Sequence, residues 1–239
     1  RVQEMDSADL ARTAWALGRV HVGDEADSFF IALEAELEGR LPHMSTHAIA
    51  TTAHGLGSSG RASADTLESI ALAIRAHHSL KAFSGNSLVT LVAPYALFAN
   101  GELSSHSLHL LHTLIDHAPT RVDDLQPHGL VTLARVLGEA VFRDRIDPDE
   151  RLVALFKALA TASVPRLAAF GERELSLLPW AFCRAHRLPH AAAEHAQLFE
   201  ALAIESTDRL HEFTARGLCS LAWSFSHAFA GGTIDAGAR

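Results

Sequence analysis

The feature that most constrains this chain is internal repetition. Residues 10–18 read LARTAWALG and residues 49–57 read IATTAHGLG, identical at five of nine positions: Ala11/Ala50, Thr13/Thr52, Ala14/Ala53, Leu17/Leu56 and Gly18/Gly57. Further copies are LVTLVAPYALF (88–98), LVTLARVLG (130–138), LSLLPWAFC (175–183) and LCSLAWSFS (218–226). With Trp15 as anchor, the equivalent positions are His54, Tyr95, Arg135, Trp180 and Trp223, spaced by 39, 41, 40, 45 and 43 residues. A degenerate unit of about forty residues is the pattern of a solenoid, whose units bury their apolar faces against neighbouring units.

Each unit predicts two helices. The anchored one, A, is followed after a short polar or glycine-containing turn by B, with candidates at 27–38, 65–76, 105–116, 149–161 and 194–204. Ser7, Ser45, Asp65 and Asp147 (with Pro148 behind it) are the expected N-caps, since a short side-chain oxygen satisfies first-turn amides. Sustained period-two alternation is missing, so no strand is predicted. The expectation is an all-α fold, a right-handed α-solenoid of six helix-pair repeats in one domain. The repeats fall at 5–41, 42–81, 82–120, 121–166, 167–208 and 209–230, with 231–239 a flexible C-terminal end. Pro94 and Pro179 share one repeat position, just before the anchor. A proline there either kinks helix A or breaks it into two short helices.

Composition narrows the class. Over 239 residues the chain is 48% hydrophobic and 20% charged, which supports a buried core and excludes a disordered tail or a collagen-like rod. Its net charge is −8, with −5 in residues 1–60 and −1 in each following block of sixty. A globally basic nucleic-acid binder is therefore excluded, while a local basic stripe is not. The acid excess of the first block is expected on the outer B face, through Glu34, Glu36 and Glu38. Cys183 and Cys219 are the only cysteines, too few for a disulfide scaffold or a cysteine zinc module. No apolar run reaches the ~18 residues of a membrane-spanning helix, so no span is expected. The chain begins at Arg1 with no signal peptide behind it, and we expect a processed or partial product.

At about 100° per residue, the A positions sort into two faces. Leu10, Ile49, Thr90, Leu130, Leu175 and Leu218 lie near Leu17, Leu56, Leu97, Leu137, Phe182 and Phe225. All but Thr90 are apolar, which makes this side the core. The residue just before the anchor is always Ala or Pro, as expected where helices approach closely. Opposite the core runs a stripe of the anchor and the positions seven before, three before and four after. It carries Arg12, Arg19, His47, His128, Arg173, Arg184, Arg216 and His227, with Thr51, Ser58, Thr132 and Ser220. Glu139 is its acidic exception, and Ala8, Leu88, Val92, Leu177 and Ala99 are its apolar ones. Flat rings and guanidinium planes stack on unpaired bases, and neighbouring cations hold phosphates. The candidate RNA-binding residues are therefore Trp15, His54, Tyr95, Arg135, Trp180, Trp223, Arg12, Arg19, His47, His128, Arg173, Arg184 and Arg216. The competing reading puts the anchors in the seams between A helices, where large aromatics fill space. Arg135 and His54 suit that role poorly.

A leucine-rich helix ending in L-x-W-A-L/F, followed by a second amphipathic helix, resembles octotricopeptide-type repeats and the related heptatricopeptide and RAP-associated families. The matching segments are Leu10 to Leu17, Leu125 to Leu137, Leu175 to Phe182 and Leu218 to Phe225, and the resemblance spans residues 5–229. It implies a mitochondrial or plastid α-solenoid that binds single-stranded RNA and acts in its processing, stability, translation or ribosome structure. The chain departs from that pattern in its acidity and in having no RAP-like segment after the last repeat.

Other chemistry is poorly supported. His106, His109 and His112 recur every three residues on one helix, without a carboxylate or cysteine at ligand spacing, so no metal is expected. There is no HExxH, CxxC, P-loop or GxSxG motif, so neither a catalytic residue nor a cofactor is assigned. Cys183 and Cys219 are read as small core residues of A helices, and Asp123, Asp124 and the acids of 144–150 as turn and cap residues. Two functions stand: an RNA-binding solenoid, and a protein–protein scaffold subunit of a large organellar assembly. Neither requires a small-molecule substrate.

Overall fold

The computed structural model describes residues 2–20, 24–185, 188 and 192–230. The expected flexible end, 231–239, lies outside them. Eleven α-helices and no strand occur among the described residues. They are α1 (Ser7–Arg19), α2 (Asp24–Arg40), α3 (Thr46–Ser59), α4 (Ala64–His77), α5 (Gly85–Ala96), α6 (Ser105–His117), α7 (Pro127–Phe142), α8 (Glu150–Ser163), α9 (Glu172–Arg184), α10 (Ala192–Asp208) and α11 (Ala215–Ala230). Odd-numbered helices are the A helices, and all five B candidates appear as the even-numbered ones.

The chain divides into two compact units, 1–117 and 118–239. In the first, α1 packs on α3 and α3 on α5, while α2 packs on α4 and α4 on α6. In the second, α7 packs on α9 and α9 on α11, while α8 packs on α10. Within each unit, like helices stack on like in neighbour-to-neighbour order, as in an α-solenoid.

The seams between A helices are close because their residues are small. A Cβ on Gly18 would lie 2.5 Å from the Gly55 carbonyl oxygen, and one on Gly55 would lie 2.5 Å from Ala14. A Cβ on Gly57 would lie 2.8 Å from the Pro94 ring. Gly138 meets the Ala181 carbonyl in the same manner. Helices α5 and α9 run on through Pro94 and Pro179, so these units do not break in two. Leu10, Ile49, Leu56, Leu130, Leu137 and Leu175 are fully buried, which fixes the core side of helix A. Leu17, Thr90, Leu97 and Phe225 are half-buried, and Leu218 on α11 is 39% exposed.

Three of the four expected caps move. Ser45 caps α3, but Asp6 rather than Ser7 caps α1, Ser63 rather than Asp65 caps α4, and Asp149 rather than Asp147 caps α8. The cap must be extended, and the backbone turns into the helix only after Asp6, Ser63 and Asp149. Asp65 becomes a first-turn acid, where the helix dipole favours it.

A recurring turn precedes every A helix. Short 310 segments occur at Val2–Glu4, Leu41–His43, Leu80–Ala82, Ala118–Asp124, Val164–Ala169 and Leu210–Glu212. In each, the amide of Met5, Met44, Phe83, Leu125, Phe170 or Phe213 donates to the carbonyl three residues earlier, at 2.9–3.3 Å. A basic side chain at or just beyond the end of a B helix then donates to a carbonyl at the preceding 310 turn. Arg40 reaches Met5 O at 2.6 Å, His78 reaches Leu41 O at 3.2 Å, Arg166 reaches Leu125 O at 2.9 Å, and Arg209 reaches Phe170 O at 2.9 Å. Four basic groups are thereby committed to closing helix pairs.

Glu34, Glu36 and Glu38 all lie on the B helix α2. Glu34 accepts from the Thr66 hydroxyl at 2.7 Å, Glu36 pairs with Arg40 at 3.8 Å, and Glu38 is exposed. Among the described residues one helical stretch, Glu150–Ala169, is long and apolar enough by composition to cross a membrane, and 44% of its apolar window is buried.

Candidate nucleic-acid interface

In the second unit the A-helix stripe becomes a groove. Helices α7, α9 and α11 present Arg135, Arg173, Trp180, Arg216, Cys219 and Trp223 around an open volume of about 890 Å³. The apolar faces position them. Leu175, Leu178 and Phe182 are buried below α9, which leaves Trp180 half-buried on the opposite side. On α11, Trp223 is 45% exposed. The floor is tied across helices: the Ser220 hydroxyl donates to Ser176 O at 3.0 Å. Glu172 Oε1 accepts from the Thr214 amide at 3.2 Å and from its hydroxyl at 2.9 Å.

Among the described residues, Arg135, Arg173 and Arg216 form no ion pair, while Glu172 is the one carboxylate on the groove lining. The groove is therefore locally cationic in a unit whose formal charge is −2. Two indoles beside three uncommitted guanidiniums suit a planar, anionic ligand.

The other candidates divide. Tyr95 is corrected: at 2% exposure it offers no face to a base, and its hydroxyl donates to Leu67 O at 2.9 Å. Burial raises its pKa, since the phenolate would be desolvated. Its stripe neighbours Leu88 and Val92 are buried as well, so on α5 the seam reading holds. Arg184 is corrected too: it pairs with Glu139 at 3.1 Å. Glu139, read as the stripe's acidic exception, is 8% exposed and is also held by Arg143 at 2.5 Å. Arg12 is exposed but bonded to Asp9, which raises its pKa. His128 pairs with Glu174 at 3.6 Å, and His54 bonds to Ser58 at 3.2 Å. His47, Arg19 and Trp15 are exposed.

A side chain lies on each tryptophan. The Arg19 guanidinium is 4.9 Å from the Trp15 ring, and that of Arg184 is 4.9 Å from Trp180 and 3.4 Å from Phe142. The His227 ring stacks on Trp223 at 5.0 Å and 10°.

Sequence reasoning missed Cys219, Glu172 and Thr214. Cys219 is exposed in the groove rather than in the core, because α11 turns it to the stripe side. Cys183 is a core residue; it donates to Ser224 O at 3.2 Å, and burial pushes its thiol up to about 12. Glu172 opens α9 and Thr214 immediately precedes α11, each at the start of an A helix. The histidine run is not a cluster either: His106 pairs with Glu68 at 2.9 Å. No group of three His, Cys, Asp or Glu could hold a metal among the described residues. Comparison with protein-family models and with curated proteins gives no match for this chain.

Proposed function

We propose that the chain is a right-handed α-solenoid of about six repeats, five helix pairs followed by the A helix α11, that binds single-stranded RNA along its A-helix face. The observation that carries this reading is the groove of the second unit, where Trp180 and Trp223 stand beside Arg135, Arg173 and Arg216. Indoles stack on bases without regard to sequence, and arginines hold the phosphates between them. The residues at work are bound-state contacts only, so the protein acts without catalysis, metal or cofactor. The resemblance to octotricopeptide-type repeats adds a mitochondrial or plastid setting and a role in RNA processing, stability or translation.

The alternative is a protein–protein scaffold subunit. The observation favouring it is the first unit, which has a formal charge of −6 and whose third anchor, Tyr95, is filled into the core. Titration of a labelled single-stranded RNA pool at several salt concentrations separates the two. Three arginine–phosphate contacts give a slope of about −2 in log affinity against log salt. A scaffold gives no binding at any salt.

A further inference from the structure

The three tryptophan anchors share a device that the notion of a basic stripe does not contain. In an α-helix, side chains lean toward the N-terminus, so the residue at i+4 lies over the one at i. Here that residue is Arg19 over Trp15, Arg184 over Trp180 and His227 over Trp223, at 4.9, 4.9 and 5.0 Å. It recurs on α1, α9 and α11, in both units. We infer that Arg19, Arg184 and His227 are positioning residues: each covers one face of its indole and fixes it, leaving the other face as a platform for one planar group. The inference rests on the RNA reading only for what that platform takes, an unpaired base.

Arg184 shows the device fully built. Its guanidinium lies over Phe142, at 3.4 Å, and over Trp180, at 4.9 Å. Its charge is answered by Glu139, whose side chain is 11% exposed. A cation held by a nearly buried carboxylate and in contact with two rings is committed. It orients Trp180 and contributes no phosphate contact. Since each indole has one face occupied, a base cannot be clamped between an indole and a second platform on that side.

The test uses the whole chain with Trp15→Phe and Trp223→Phe, so that emission comes from Trp180 alone. Fluorescence anisotropy decay and acrylamide quenching are read with and without Arg184→Ala. The expected result is a mobile indole with about 2–5-fold more quenching, from the loss of one cation–π contact. Arg184→Lys is not expected to restore it, because the ammonium has no plane to stack. Unchanged anisotropy in Arg184→Ala overturns the inference. Should that variant fail to fold, His227→Ala in a chain retaining only Trp223 answers the same question.

A second arm titrates labelled oligouridylate. Arg184→Ala should weaken binding by about 2–5-fold with the salt slope unchanged, whereas Arg173→Ala should lower the slope by about 0.7. An equal loss of slope in Arg184→Ala makes it a phosphate contact and overturns its positioning role. If the unaltered chain does not bind oligouridylate, the RNA reading fails and the anisotropy arm alone decides the device.

Discussion

Tyr95 illustrates how one hydroxyl changes a residue's meaning. By helical angle it belongs with Trp15 and Trp180, yet its side chain is buried and its hydroxyl bonds Leu67 O across to α4. Tyr95→Phe should therefore cost about 0.5–1.5 kcal/mol in urea denaturation, the net worth of one hydrogen bond, since Leu67 O keeps its bond within α4. It should leave RNA affinity unchanged. A second residue carries a pH dependence. His195 on α10 packs against Phe182 at 4.9 Å, and burial pushes its pKa down to about 4. The unfolded chain titrates that imidazole near 6.5 and so binds the extra proton first. Its contribution is complete above about pH 6.5 and is lost as pH falls toward 4, by up to about 3 kcal/mol. His195→Phe should flatten that part of the stability curve, measured as the difference between the two chains. The anchors and the core leucines were legible because both follow helical periodicity. The fates of Tyr95 and Arg184 were not, since each depends on a partner far along the chain, Leu67 O and Glu139.

The helices follow from pattern, and the seams follow from side-chain size. Leu56→Ala and Leu137→Ala remove fully buried side chains and should each cost about 2–5 kcal/mol by thermal or chemical denaturation. The half-buried Leu17 and Leu97 should cost less at the same repeat position. Gly55→Ala tests the seam from the opposite direction. Its methyl would meet the α1 backbone 2.5 Å away, so α1 and α3 must separate, at a cost of about 1–3 kcal/mol or more. All five B helices were readable to within a few residues. The 310 turn was not, because its pattern, an apolar residue three before another and then the cap, is too short to register as periodicity. Its basic clamps, Arg40, His78, Arg166 and Arg209, hide for the same reason. Each answers carbonyls about forty residues earlier, a distance visible only once the helices pair.

At the scale of the whole molecule, the placement of charge matters more than its sum. A net charge of −8 argues against RNA when counted globally. Many arginines are committed to carbonyls or carboxylates, whereas Arg135, Arg173 and Arg216 line the groove with two indoles. Trp180→Ala and Trp223→Ala should each weaken single-strand binding by about 1–3 kcal/mol, the range for a stacked base, with helicity retained in circular dichroism. The groove itself is tested most directly by ultraviolet crosslinking of the intact chain to single-stranded RNA, with the attachment sites located by mass spectrometry. Crosslinks are expected on α9 and α11, at or beside Trp180 and Trp223, competed away by salt. Crosslinks confined to the B helices, or none under conditions where a control RNA-binding protein reacts, would contradict it.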